Sequence, residues 1–501
     1  MRRVTSLGFP SLTVLLAALF LAGIDVPAAA QEAWVEVKSP HFTIVSNAGQ
    51  GRAGDVAWQF EQFRGGIEMA WPWAGVRLDR PVFIIAAKDE ATMKALLPAY
   101  WERPADSRPG GLLVTSADRH YIVVRTDVRA DDRANMNPHI TAYWSYAFTL
   151  DAAFDRGLPL WFRIGMAEVL SNTIVRDTEL RFGLPIPGHL ERIRQGRLRL
   201  RELLDVNSAS EHSTDGENRR RFYAQCWTVL HYLLFGRPED RAGRVNELAR
   251  LLLGGKPSAA AVEEVLGSLD ALETAYMRYT QQSVFQFSRL KIDGPSSSRT
   301  LATRDFAAHE SAAIRAAFYV ATNRPVEART SIAAARKASA ESAGSYEAEA
   351  LLLDREEKGD DARAAFIKAT ELSSTNAYAH YRLAALTWGT NPDAETLGRI
   401  ETLLRRAVAL NDGYAPAYTL LADAVARGSQ PQSALDFATK AASLEPGDPA
   451  PRLALARVLW RLSRRDEARG HALAARQLAD TEQERNEVQL LLDFFARAPA
   501  N

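Results

Sequence analysis

Small apolar residues recur at a regular interval through the second half of the chain, from about residue 309 onward. The usual interval is 34 residues, and it separates alanines that form two series. A small residue lets two helices approach closely, so the pattern predicts helix pairs, with one series on each helix of a pair. The first series is Ala316, Ala350, Ala384, Ala422 and Ala456, and the second is Ala328, Ala362, Ala434 and Ala468.

The third unit departs from this interval. An insertion around residues 389–398 (GTNPDAETLG) lengthens the predicted turn between its two helices by about four residues. Ala407, Ala441 and Ala475 then resume the spacing, and Pro446 stands where a proline usually closes a unit. Five unrelated amphipathic helix pairs are the alternative interpretation.

The 34-residue interval is the length of a tetratricopeptide (TPR) unit, and this half of the chain resembles a TPR array. We therefore predict an all-α TPR solenoid of five repeats over residues 309–482, followed by a capping helix and tail over residues 483–501. Such solenoids bind extended peptides or protein partners on a concave face. We expect the binding side chains there to include Tyr381, Tyr418 and Arg452, and we expect the segment 309–497 to fold alone.

Residues 1–30 have the pattern of a secretory signal peptide. Arg2 and Arg3 provide a positive start, residues 12–24 are apolar, and Ala28-Ala29-Ala30 forms a small-residue cleavage site before Gln31. The apolar run is too short to span a bilayer comfortably. The mature protein is therefore predicted to be exported and to have no membrane span after cleavage.

Two aromatic segments in the first half resemble the active-site region of gluzincin-type zinc peptidases. They are Trp144-Ser145-Tyr146-Ala147-Phe148 and, nine residues further on, residues 158–168 (LPLWFRIGMAE). The resemblance covers roughly residues 33–290 and is to the peptidase-MA-like domains of bacterial secreted proteins. It implies an α+β domain, a small sheet plus helices, over residues 31–292, with a linker over residues 293–308. It also implies a periplasmic location in a Gram-negative bacterium.

The resemblance implies that the zinc site is degenerate. Gluzincins bind zinc with the two histidines of H-E-x-x-H and a glutamate on a second helix, while the intervening Glu activates water. The two histidine positions fall on Trp144 and Phe148, the general base on Ser145 and the third ligand on Ile164. None of these side chains can do that work, so the resemblance implies no metal and no other cofactor.

Two further positions match the family pattern. Glu168 corresponds to the residue that supports a ligand histidine, and Tyr223 to the tyrosine that donates a hydrogen bond to the oxyanion. We predict that Trp144, Phe148 and Ile164 converge near Tyr223 and fill the space that a metal would take.

The other histidines offer no obvious replacement site. No two of the nine stand three or four residues apart, so no helix presents a local pair of imidazoles. His139, just after Pro138 at a predicted helix start, is the nearest candidate ligand, and no carboxylate follows it directly. An active zinc metallopeptidase with an unorthodox site is the alternative hypothesis.

Composition narrows the function classes. The chain has 61 Lys and Arg and 61 Asp and Glu among 501 residues, which argues against a protein whose main partner is nucleic acid. Its single cysteine, Cys226, cannot form an intramolecular disulfide and lies in an apolar predicted helix. The sequence thus predicts an exported, non-catalytic pseudopeptidase that binds a protein or peptide partner through its repeats.

Overall fold

The computed structural model describes residues 33–71, 78, 80–102, 111–128, 136–150, 158–214, 216–236, 241–292, 301–428, 431–479 and 481–497. The predicted signal peptide and its cleavage site lie outside the described residues. Trp34–Asn501 forms one compact unit. In the described part of the chain, no helix is long and apolar enough to cross a membrane.

A six-stranded mixed sheet forms the centre of the first half, in the order β4-β5-β3-β2-β1-β9. β3 pairs in parallel with both β2 and β5, and the other pairs are antiparallel. The sequences of β3 (VFIIAA) and β5 (HYIVVR) are almost continuously apolar, as expected for strands covered on both faces. The strands are β1 Val35–Lys38, β2 Phe42–Ser46, β3 Val82–Ala87, β4 Gly111–Thr115, β5 His120–Arg125 and β9 Ala302–Asp305.

Helices cover both faces of this sheet, and a small second sheet, β6-β7-β8, lies among those of one face. A short π-helical segment, Tyr232–Gly236, continues α9. The helices are α1 Gln50–Ala70, α2 Glu90–Leu96, α3 Pro98–Trp101, α4 Ile140–Thr149, α5 Leu160–Ser171, α6 Pro187–Gln195, α7 Leu200–Asp205, α8 Glu211–Thr214, α9 Gly216–His231, α10 Arg241–Leu253, α11 Ser258–Leu266 and α12 Leu269–Tyr279. The small-sheet strands are β6 Ile174–Val175, β7 Glu179–Phe182 and β8 Ser288–Lys291.

The second half consists of five helix pairs and a final helix, as the alanine pattern predicts. Every alanine of the two predicted series is fully buried. The pairs are α13 Ala308–Ala321 with α14 Pro325–Ala338, α15 Ala343–Arg355 with α16 Gly359–Glu371, α17 Ala377–Thr387 with α18 Ala394–Leu410, α19 Ala415–Arg427 with α20 Pro431–Leu444, and α21 Pro449–Arg461 with α22 Arg465–Leu478; the final helix is α23 Glu482–Arg497.

The turns inside the pairs confirm the repeat register. Asn323, Glu357 and Ser463 each have a positive φ, near 60°, at the middle of a three-residue turn. The third pair has the longer turn that the insertion predicts, over residues 388–393. First helices of neighbouring pairs contact each other, as α13 with α15 and α19 with α21. We call the side formed by the first helices the inner face of this TPR-like solenoid.

The predicted linker is only partly a linker. Residues 302–305 form β9, which pairs with β1 and extends the sheet of the first half, while residues 293–300 lie outside the described residues. An extended segment beside a sheet edge forms backbone hydrogen bonds with the edge strand. The turn-forming residues just before it predict a linker but do not predict this pairing.

The two halves share a hydrophobic core. Alternate residues of the central strands face opposite ways, so Ile84 and Ile122 contribute to the core of the first half. Ile85 and Tyr121 instead join a core that contains Phe318 of α13 and Leu351 of α15. The helix pairs begin close to residue 309, as predicted. The segments before and after this boundary nevertheless pack against each other in one core.

Candidate functional site

Three helices bring the predicted site positions together. α5 packs between α4 and α9, and the close approach of α5 to α9 depends on Gly165. A Cβ atom at this position would lie 2.8 Å from the carbonyl oxygen of Cys226. The glycine of the WFRIGMAE segment is thus required by packing, and it fixes which side chains of α5 face α9.

An aromatic stack occupies the two predicted histidine positions. The rings of Trp144 and Phe148 are 4.8 Å apart and nearly parallel, at 10°. Tyr223 stacks on the other side of Trp144 at 5.7 Å and 15°, and the Arg163 guanidinium lies 4.5 Å from the centre of the Phe148 ring. Trp144, Phe148 and Tyr223 are half-buried. The structure therefore brings these three predicted residues together as one stack.

Ile164, the fourth position, is 1% exposed and belongs to the main core of the first half. Phe148 and Tyr223 pack against the same core. Ser145 is half-buried on α4. The buried Trp144 Nε1 has no hydrogen-bond partner among the described residues.

Glu168 has a partner that sequence reasoning missed. Its carboxylate accepts a hydrogen bond of 2.7 Å from Nε2 of His189 on α6. The His189 ring also meets Trp227 edge to face at 5.9 Å. His189 lies 21 residues from Glu168 and in no recognisable motif, so only the packing of both α5 and α6 against α9 brings the pair together.

Burial makes the nearby ionisable groups of α9 poor nucleophiles. It raises the pKa of Tyr223, with Arg219 opposing the shift and Glu168 adding to it. Burial, reinforced by Glu168, also raises the pKa of the Cys226 thiol well above its ordinary value. A thiol that stays protonated is a weak nucleophile and a weak metal ligand.

The side chains at the three predicted ligand positions, Trp144, Phe148 and Ile164, do not fit a zinc ion. Indole, phenyl and alkyl groups offer no lone pair to the metal, and the described residues contain no group of three His, Cys, Asp or Glu arranged to hold one. His139 is the N-cap residue of α4 and is 6% exposed. It lies at the helix start, as its sequence position indicates.

A large cleft lies beside the shared core, between the first half and the solenoid. It has a volume of 2040 Å³ and extends from the edge of the aromatic stack, at Phe148 and Arg163, to α23 at Glu484. We call it the interdomain cleft. On one side it is lined by sheet and helix residues of the first half, and on the other by the turns that join successive helix pairs, including residues 341–344, 373–378 and 410–414.

A buried charged cluster crosses the interface at one wall of the cleft. Asp118 accepts hydrogen bonds on Oδ2 from Arg119 Nε at 2.6 Å and from Asn376 at 3.1 Å. Arg119 also lies 3.8 Å from Glu347 of α15. The Asp118 side chain is 0% exposed, and its Oδ1 has no hydrogen-bond partner among the described residues.

The three predicted binding residues of the solenoid each contact a neighbouring turn or helix. Tyr381 packs on Tyr414 at 5.3 Å, Tyr418 lies 6.3 Å from Phe437, and Arg452 donates to the carbonyl oxygen of Pro446. All three are half-buried, and none is among the described residues that line the interdomain cleft. Their side chains stabilise turns and neighbouring helices as much as they present a surface.

Other inner-face side chains form contacts that sequence reasoning missed. Arg382 makes a two-point ion pair with Asp354 of the preceding pair, at 2.8 and 2.6 Å. Arg457 does the same with Asp423, with Nε at 2.9 Å. The repeat spacing could have revealed the second pair, since Asp423 and Arg457 stand 34 residues apart.

No family model matches the chain, and no curated protein matches it. Solved TPR proteins resemble parts of it. YrrB, described as a TPR protein with an unusual peptide-binding site, is 17% identical over 36% of this chain and 90% of its own, with a TM-score of 0.31. A thermophilic TPR protein of Thermus thermophilus is 18% identical over 38% and 100%, with a TM-score of 0.28. Yeast Tom70 is 13% identical over 58% and 65%, with a TM-score of 0.29.

Proposed function

We propose that this protein is an exported, non-catalytic relative of the gluzincin peptidases that binds a protein or peptide partner through its TPR-like repeats in the cell envelope. The aromatic stack carries the proposal. Trp144 and Phe148, at the positions of the two histidines, are engaged with each other and with Tyr223. A metal and its water would have to displace this packing before any chemistry could start.

Elemental analysis and a cleavage assay test the loss of activity. The purified mature chain should hold no stoichiometric zinc and should leave casein and a quenched peptide library intact. The water of a zinc peptidase needs both a metal and a general base, and the proposed site offers neither. About one zinc per chain together with chelator-sensitive cleavage would instead establish the alternative, a metallopeptidase with an unorthodox site.

Restoring the four positions tests the alignment behind the proposal. The variant Trp144→His, Ser145→Glu, Phe148→His, Ile164→Glu should gain a zinc-dependent rise in melting temperature, because the helices would then present two imidazoles and a carboxylate. The control replaces only Ser145 by Glu, which supplies no ligand set. A folded quadruple variant whose melting temperature ignores zinc would count against the proposed positions.

The solenoid offers its inner face for a partner mainly at the third to fifth helix pairs. The first helices of the first two pairs, α13 and α15, use apolar side chains such as Ala317, Val320 and Leu351 to pack against the sheet. The charged and aromatic inner face lies further along, where Arg427 rests 5.2 Å from the Trp388 ring and Arg457 pairs with Asp423.

Site-specific crosslinking in the intact chain tests this assignment. A photoreactive residue at Tyr381 or Tyr418 should capture the partner from the envelope, whereas one at the exposed Thr402 of α18, a second helix, should not. Equal capture at both kinds of position would remove the inner face from the proposal. The exported form is checked separately, since the mature chain isolated from cells should begin at Gln31.

A further inference from the structure

We propose that the interdomain cleft binds an extended polypeptide segment in which basic and acidic side chains alternate. This is a second binding site, distinct from the three predicted binding residues of the solenoid. None of Tyr381, Tyr418 and Arg452 is among the described residues that line the cleft. The proposal rests on the charges of the two walls and on one buried carboxylate.

The two walls carry opposite charge. Among the described lining residues, the solenoid wall has seven carboxylates and no Lys or Arg, whereas the wall of the first half and β9 has six Lys or Arg and two carboxylates. The solenoid carboxylates are Glu310, Glu341, Glu347, Asp412, Glu445, Asp448 and Glu484. The facing cations are Lys38, Arg64, Arg80, Arg119, Arg163 and Arg304, and the two acids beside them are Glu36 and Asp118.

Two of these cations pair with carboxylates across the cleft. Arg304 binds both Glu36 and Glu310, and Arg119 binds Asp118 and approaches Glu347. Away from these pairs the solenoid wall continues as exposed acidic turns, with Glu341 before α15 and Asp412 before α19. Lys38, 62% exposed and 3.8 Å from Glu36, stands on the opposite side. The field across the remaining opening therefore runs from a positive to a negative wall.

An extended segment between two walls of opposite charge is best matched when its own charges alternate. Successive side chains of an extended strand point to opposite sides, so alternating basic and acidic residues would each face the wall of opposite charge. A segment of one sign would meet one repulsive wall along its whole length. The acidic wall likewise disfavours nucleic acid, and the volume of 2040 Å³ exceeds the roughly 300–1,000 Å³ of ordinary small-molecule pockets.

The buried Asp118 is an exception on the otherwise basic wall of the first half, and it marks where one basic side chain of the segment would be held against that wall. Asp118, Arg119 and Glu347 together carry one net negative charge at the cleft wall, and the Asp118 side chain is 0% exposed. Its Oδ1 has no donor among the described residues. A buried carboxylate oxygen without a donor is costly, and an ammonium or guanidinium group from a bound segment would satisfy it.

Fluorescence anisotropy with the full mature chain tests the proposal. The probe is a labelled peptide of about twelve residues in which Lys and Glu alternate, and the comparison peptide has the same composition in two blocks. The alternating peptide should bind at least tenfold more tightly than the block peptide, and 0.5 M NaCl should abolish its binding because screening weakens the contacts. Equal affinities, no binding, or binding that ignores salt would each overturn the proposal.

Two sets of variants locate the site. Glu341→Gln with Asp412→Asn removes two exposed charges of the solenoid wall and should weaken binding of the alternating peptide by about tenfold. The matched control, Glu395→Gln with Asp360→Asn, removes two exposed carboxylates that are not among the described lining residues and should leave affinity unchanged. Equal loss in both double variants would show a general charge effect and refute the site.

Asp118→Asn tests the contact between this carboxylate and a basic side chain. If a basic side chain of the peptide reaches Oδ1, this folded variant should lose at least as much affinity as the solenoid-wall variant. Unchanged affinity would mean that water alone satisfies the oxygen, and would refute that step. Should Asp118→Asn not fold, the solenoid-wall variant decides the site, and Lys38→Gln, on an exposed side chain, decides the role of the opposite wall.

Discussion

The first two and the last two helix pairs of the solenoid share the same helix–turn–helix backbone. They differ in what their first helices contact. At one position of the first helix, the 34-residue spacing places Ala317 and Leu351 in the early pairs and Asp423 and Arg457 in the late pairs. The early residues are buried against the sheet, whereas the late ones pair with each other at an accessible face. The repeat pattern makes the helices, and the residues between its small positions decide what the inner face contacts.

The substitution Phe318→Ala should have the largest effect on stability of the changes that test this comparison. Phe318 is fully buried and its ring lies 5.4 Å from that of Tyr121 in β5. We expect a loss of about 3–5 kcal/mol, as for other buried aromatic truncations. Because the contact joins the two halves, calorimetry should resolve two transitions where the parent chain shows one.

Phe366→Ala is the matched control for that experiment. Phe366 is equally buried but lies in a core formed only by solenoid helices, α15 to α18. Its truncation should lower the melting temperature of the repeats without separating the halves. If both variants keep a single transition, the shared core does not couple the two halves.

Acid should destabilise the first half through His231. The ring is 0% exposed between the carbonyl oxygen of Gly183 and the hydroxyl of Tyr279, and burial lowers its pKa from 6.5 to about 4, against the Gly183 hydrogen bond. The unfolded chain therefore takes up the proton first. Above pH 6.5 the neutral His231 ring makes its full contribution to the free energy of unfolding. That contribution falls by up to about 3 kcal/mol as the pH drops toward 4.

Urea unfolding at pH 7 and pH 4.5 measures this effect, and His231→Gln is the control because glutamine does not titrate in this range. The loss of stability between the two pH values should shrink in the variant. An equal loss in both proteins would assign the acid sensitivity to other groups, such as His380 in the repeats, whose pKa burial also lowers.

Phe148→Ala should destabilise the protein less than the truncation of a fully buried phenylalanine would. The ring is half-buried, stacked on Trp144 and covered by Arg163, so we expect a loss of about 1–3 kcal/mol by thermal unfolding. Val284→Ala, at a site 78% exposed, should be neutral. No loss at Phe148 would contradict the packing role assigned to the stack.

We expect the smallest change in stability for the ion pair between the fourth and fifth helix pairs. A double-mutant cycle of Asp423→Ala and Arg457→Ala should give a coupling of about 1 kcal/mol or less, since the two side chains are 18% and 40% exposed. The coupling should decrease in high salt. A coupling several times larger would show that the late inner face is as rigid as the early one.

The two halves differ in how much of their structure the sequence predicts. The alanine interval predicted five helix pairs, the longer third turn and the final helix, because a helix pair is stabilised by residues close in sequence. The signal peptide, the gluzincin relationship and the absence of activity stay predictions. In the first half, the aromatic stack followed from residues one helical turn apart and from Tyr223, but the Glu168–His189 pair did not.

The sequence by itself therefore determined the repeat register, the small residues at helix contacts and the lack of zinc ligands at Trp144, Phe148 and Ile164, since each depends on local spacing or on side-chain chemistry. Only the tertiary structure decided that β9 joins the sheet, that Phe318 packs on Tyr121 and that opposite charges face each other across the cleft. These contacts join segments hundreds of residues apart, and no local pattern encodes which distant surface a strand or helix will meet.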